Sequence, residues 1–132
     1  DSEHWNTFVD LLVEGNREWA HHASALVLLV SKTTNDRNGI HMRTHSFDAG
    51  SAWFAFALQS VRDGLIAHPM QGFDENAARE TLNVPEEFHV EIMIAVGSPG
   101  DPDVLSKEYQ AREKPNGRRP IEDIAWEGPF RK

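Results

Sequence analysis

Residues 47–63 constrain this chain more than any other stretch. Ala49, Ala52, Trp53, Phe54, Ala55, Phe56, Ala57, Leu58 and Val61 make the segment apolar nearly all the way round, with Gly64 to close it. The spacing predicts a long helix, and a helix with no clean polar face must be covered on more than one side. At 132 residues the chain amounts to a single domain with little material to spare. A second copy of the same chain is therefore the cover expected for the far side of this helix.

The remaining elements are read around it. Trp5, Phe8, Val9, Leu11 and Leu12 recur at helical spacing, which predicts one amphipathic helix over residues 3–14, ended near Gly15. A short further turn of helix is expected over residues 16–20. Residues 25–31 form a continuous aliphatic and β-branched run, the pattern of a buried strand. Residues 33–44 are polar and contain Asn38-Gly39, so they read as a loop. Residues 65–70 are extended, and residues 74–83 are a helix with Asp74 at its start and Pro85 beyond its end. Residues 89–97 alternate and then become wholly apolar, a second strand.

After residue 97 the pattern changes. Residues 98–132 hold five of the seven prolines and few aliphatic side chains, with at most one helical turn near residues 106–112. We divide the chain accordingly into a core, residues 1–97, and an extended tail, residues 98–132. Ile121, Trp126 and Phe130 give the tail something to bury, which favours wrapping on a partner over a free coil.

Charge narrows the function classes. The net charge is −8, and residues 1–97 carry all of it, with 14 acidic against 6 basic residues. That balance argues against nonspecific binding to nucleic acid or to anionic lipid. The tail carries seven of each sign, so an anion would find its cations there, above all at Arg118 and Arg119. A solvated, charge-balanced coil is the competing reading. Without cysteine there is no disulfide, thiolate nucleophile or iron–sulfur site, which fits a reducing cytoplasm. No apolar run is long enough to span a bilayer, so neither nucleic acid nor membrane is an expected partner.

Two constellations carry possible chemistry. His68-Pro69-Met70-Gln71-Gly72-Phe73-Asp74 places a glycine turn between an extended segment and a helix start, where backbone amides can approach a flat ligand. His41 and His45, four residues apart with Asp48 nearby, have the spacing of a metal pair on a helix. There is no glutamate at the position a hydrolytic zinc motif requires, and the Asn38-Gly39 turn puts this segment in a loop, so no metal is expected. His68 is a candidate proton donor, against the plainer reading of a packed loop histidine. Trp53, Phe54 and Phe56 read as core or interface.

Taken in order, several blocks resemble the FMN-dependent nitroreductase family. They are Glu14-Gly15-Asn16-Arg17-Glu18-Trp19-Ala20 ahead of a hydrophobic strand, His45-Ser46-Phe47-Asp48-Ala49-Gly50-Ser51-Ala52-Trp53, Met70-Gln71-Gly72-Phe73-Asp74, and Gly117-Arg118-Arg119-Pro120 followed by Trp126-Glu127-Gly128-Pro129-Phe130. The resemblance covers almost the whole chain. It implies an α+β fold in which helices flank a mixed or antiparallel central sheet, and an intertwined homodimer with an extended C-terminal tail. It also implies FMN at the dimer interface. Electrons would come from NADH or NADPH and pass as hydride to nitroaromatics, quinones or similar small electrophiles by a ping-pong route.

By the same resemblance, backbone groups of Gln71 and Gly72 face the flavin edge, Pro69 and Met70 line one side, and Arg118, with Arg119 as its substitute, pairs with the phosphate. A guanidinium fork suits that last role. No Rossmann G-x-G-x-x-G occurs, in keeping with a family that binds nicotinamide over the flavin. Family members also carry an Arg-rich phosphate-gripping motif and an Asn-bearing motif upstream. Neither lies before Trp5, so the chain is expected to be part of a longer protein. Two other readings stay open at this stage: a dimeric flavin-binding scaffold without turnover, and a metal-dependent hydrolase using His41, His45 and Asp48.

Overall fold

A computed structural model describes residues 3–130. Its contacts divide the chain into two units, residues 1–100 and residues 101–132.

The first unit is built on three antiparallel strands, β1 (Ala25–Lys32), β2 (Ile66–Met70) and β3 (Phe88–Gly97), in the order β1-β3-β2. The apolar run expected at 89–97 becomes the central strand because it alone has partners on both edges. Helices α1 (Trp5–Asp10), α2 (Glu14–Ala20) and α4 (Glu75–Thr81) contribute to one core with Leu11, Leu12, Ala20, Met70, Phe73, Ala78, Val90, Met93 and Ala95. Alternate residues of β1, namely Leu26, Leu28 and Val30, pack against that core. Ser31, of the opposite parity, faces helix α3 (His45–Arg62) instead. Period-two alternation thus sorts the helices, with three on one face of the sheet and α3 on the other.

The pairing of β1 and β3 slips by one residue: Leu29 pairs with Ile92 and Val30 with Val90, leaving Glu91 unmatched. This β-bulge changes which parity of β3 meets the core, from Val90 on one side to Met93 and Ala95 on the other. It also turns a charged side chain out of an otherwise apolar strand.

Helix ends follow local chemistry. Asp74 caps α4 by accepting from the Ala77 amide at 2.9 Å. Gly64, at φ +74°, ends α3 in a Schellman turn in which Leu65 N–H donates to Ser60 and Gly64 N–H to Val61.

One expectation is overturned. The single helix over residues 3–14 is two helices, broken at Leu11-Leu12-Val13, and Gly15 lies inside α2 rather than ending anything. The break is dictated from afar. Leu12 forms a β-bridge with Phe73, and the Leu11 carbonyl accepts from the Asp74 amide at 2.9 Å. Two leucines thereby reach the core at the cost of one helical turn.

The second unit has a 3₁₀ turn at Pro102–Val104, helix α5 (Lys107–Arg112) started by Ser106, and another 3₁₀ turn at Ile121–Asp123. Trp126 meets Phe130 edge-on at 5.1 Å and its indole donates to the Pro129 carbonyl. Ile121 and Phe130, expected to be buried against a partner, are 68% and 82% exposed in the single chain.

Candidate functional site

The glycine turn sits where β2 ends. Phe73 N–H donates back to the Gln71 carbonyl at 2.9 Å, so Gly72 is the centre of a three-residue turn. The Gly72 carbonyl accepts twice, from Val13 N–H at 3.1 Å and from Asn16 Nδ2 at 3.0 Å. The turn is thereby stitched to the break between α1 and α2, and two segments far apart in sequence meet at one point. Outside the sheet ladder, which ends at the Met70–Met93 pair, the amides of Gln71 and Gly72 donate to no acceptor among the described residues. Two N–H donors on a braced turn are what a flat, acceptor-edged ligand requires.

The glycine also has a packing role. A Cβ on Gly72 would lie 2.5 Å from Asn16 Nδ2 and 2.8 Å from Val13 Cγ2. The missing side chain makes room for Val13 and Asn16. Its φ is not positive, so conformational freedom is not what requires glycine here.

The neighbours of the turn are of mixed character. Pro69 is half-buried, whereas Met70 is only 3% exposed and packs in the core. The Met70 side chain therefore supports the turn from beneath. His68 is exposed and places its ring edge-on to Trp19 at 4.9 Å. In the second unit, Arg118 Nη1 donates to the carbonyl and side-chain oxygens of Asn116, at 3.2 and 2.6 Å. No carboxylate pairs with Arg118 or Arg119 among the described residues.

His41 and His45 do not share a helix face. His41 bridges to Thr34 in the loop and His45 opens α3, with ring centroids 5.9 Å apart. No three His, Asp or Glu side chains among the described residues gather as a ligand set, and His41, His45 and Asp48 are not one.

A polar cluster that sequence reading missed lies at that helix start instead. The bulge residue Glu91 accepts from Ser31 Oγ at 2.5 Å and Ser46 Oγ at 2.8 Å, with His45 Nδ1 at 3.4 Å. Ser31 Oγ also stands 2.7 Å from His45 Nδ1. A hydroxyl has one proton, and Ser31 gives it to Glu91, so the imidazole Nδ1–H donates to Ser31. Burial pushes the Glu91 carboxyl up, but the serine hydrogen bonds, the nearby His89 and the His45 contact outweigh it and hold it below its ordinary range. Serine stands between imidazole and carboxylate, whereas a nucleophilic triad needs the imidazole in the middle. The cluster anchors the positive end of α3 to the sheet, in place of a cap that Thr44 does not supply. The only sequence signal for it was an acid inside an apolar strand.

Helix α3 shows a second apolar face. Ala49 and Ser60 are buried on the sheet side, while Phe47, Phe54, Leu58 and Val61 fall on one opposite stripe and are 75%, 63%, 52% and 71% exposed. The expected two-sided cover is present on one side only within the chain. No helix among the described residues is long and apolar enough to cross a membrane, so the stripe does not mark a span.

No protein-family model matches the chain. A protein of Mycolicibacterium smegmatis, named only as an uncharacterized 15.4 kDa protein in the ask 5' region, is 33% identical over 127 residues, covering 96% of this chain and 84% of its own length. A crystal structure of an oxidoreductase containing FMN is 42% identical with a TM-score of 0.94, over 99% of this chain and 68% of that one. A nitroreductase family protein from Streptococcus pneumoniae shares the fold at 17% identity, TM-score 0.69, over 97% of this chain and 76% of its own. On the strength of the 42% relative the chain belongs with the flavin oxidoreductases, and it shares its fold with nitroreductase family proteins.

Proposed function

We propose that the chain binds FMN at the Gln71–Gly72 turn and works as a homodimeric oxidoreductase, passing hydride from NADH or NADPH to nitroaromatics, quinones or similar small electrophiles. The observation that carries this reading is the pair of unengaged amides on a turn whose carbonyl is tied back. The 42% identical relative is described as containing FMN, which supports the same cofactor here. The residues fit that group: a flavin edge presents acceptors to two amide donors, and a phosphate suits a guanidinium with no carboxylate partner.

When bound, FMN supplies the hydride chemistry, so the protein needs no nucleophile. What the residues do is bind and orient. Gln71 and Gly72 offer N–H groups in a fixed direction, Pro69 flanks them, Met70 supports the strand end from the core, and Arg118 or Arg119 meets the phosphate. His68, exposed and edge-on to Trp19, is the candidate proton donor beside the turn. The α3 stripe is the dimer contact, the tail wraps on the partner, and the cysteine-free composition suits a cytoplasmic setting.

The test is FMN titration of the full chain followed by NAD(P)H oxidation with a nitroaromatic or quinone acceptor. Saturable uptake with turnover and parallel double-reciprocal lines is expected. A protein that folds but takes up no FMN contradicts the reading, and uptake without turnover selects the non-catalytic scaffold.

A further inference from the structure

We infer that Asn16 is a positioning residue for the flavin-contacting turn, acting through the Gly72 carbonyl. The inference rests on the reading that this turn meets FMN.

The Gly72 carbonyl has two lone pairs and both are engaged, one by the Val13 amide and one by the Asn16 side chain. The peptide unit is planar, so fixing this C=O fixes the Phe73 N–H that closes the turn on Gln71. Together these bonds set the dihedrals of Gly72 and hence the direction of the amides at 71 and 72. Glycine has the widest torsional range of any residue, so a turn centred on it holds its aim only when braced from outside.

Asn16 stands in the first turn of α2, where a short amide side chain would ordinarily bond locally. Here it reaches across 56 positions of sequence instead. Gly72 has no Cβ in the place where Asn16 enters, since that atom would come within 2.5 Å of the amide nitrogen. The two residues form a matched pair: the absent side chain of one admits the side chain of the other.

The experiment compares Asn16→Ala, Asn16→Asp and Gly72→Ala in the full chain. Each is read by the FMN dissociation constant, by the visible spectrum and reduction potential of bound flavin, and by the thermal midpoint. Losing one hydrogen bond that aims a donor should raise the dissociation constant about threefold to tenfold in Asn16→Ala. Asn16→Asp is nearly isosteric but turns an oxygen towards the carbonyl, so it should weaken FMN by more than about tenfold, with a shifted spectrum and potential. If the Asn16 variants alter the thermal midpoint but leave affinity, spectrum and potential at wild-type values, while Gly72→Ala weakens FMN, the inference is overturned and the turn reading stands. If all three bind FMN as the wild type does, the turn reading itself has failed.

Discussion

The exposed stripe of α3 gives the sharpest handle on assembly. Phe54 lies at its middle and is 63% exposed in the single chain. Fully burying a phenylalanine is worth about 1.5–3 kcal/mol, so covering the exposed part of this one contributes about 1–2 kcal/mol. A two-fold interface uses the same patch from both copies, which doubles the figure to about 2–4 kcal/mol per dimer. Phe54→Ala should therefore raise the dimer dissociation constant about 30-fold to 1000-fold. Phe54→Asp should raise it further, because two carboxylates would have to lose their water at the same contact. Sedimentation velocity over a concentration series reads the constant, and circular dichroism checks that α3 stays helical. A wild-type chain that is monomeric at high micromolar concentration would refute the reasoning. So would a Phe54→Asp dimer as tight as the wild type.

Two further outcomes follow from side chains that hold the frame. Glu91→Gln should destabilise the fold by about 1–3 kcal/mol at neutral pH, since a charge-assisted acceptor of two serine hydroxyls is lost. The native carboxyl titrates below its unfolded value, so its stabilisation is present above the ordinary carboxylate range and lost as pH falls through the folded pKa. Thermal midpoints of wild type and variant should therefore converge on acidification, and a constant gap from pH 7 to pH 3 would contradict this. Arg79 donates to the carbonyls of Val84, Pro85 and Phe88 at 3.2, 3.0 and 2.7 Å, closing the turn between α4 and β3. Arg79→Ala should cost about 2–4 kcal/mol in urea unfolding, with Arg79→Lys recovering only part because one ammonium cannot span the three acceptors.

What could be read from sequence was local. The aliphatic runs that became β1 and β3, the α3 periodicity and the Asp74 cap each carry their signal within a few residues. The misreadings share a non-local cause. Nothing within residues 3–14 says that Leu11 and Leu12 leave the helix, because the partner that pulls them out is the 71–74 turn. The Glu91 bulge is a matter of register between two strands about 60 residues apart, and it alone aims the carboxylate at Ser31 and Ser46. The contact between Gly72 and Asn16 was not legible, because the two residues lie 56 positions apart in sequence. Strand alternation sends the Met70 side chain into the core, which its adjacency to the turn in sequence does not reveal.

The braced turn is the centre of the functional account, and backbone amide resonances of the ¹⁵N-labelled protein under FMN titration address it directly. The amides of Gln71 and Gly72 should move together, saturably, at one FMN per chain, while Phe73 N–H, already engaged within the turn, moves little. Saturable binding that leaves both amides in place, or no saturable binding by a folded chain, would contradict it.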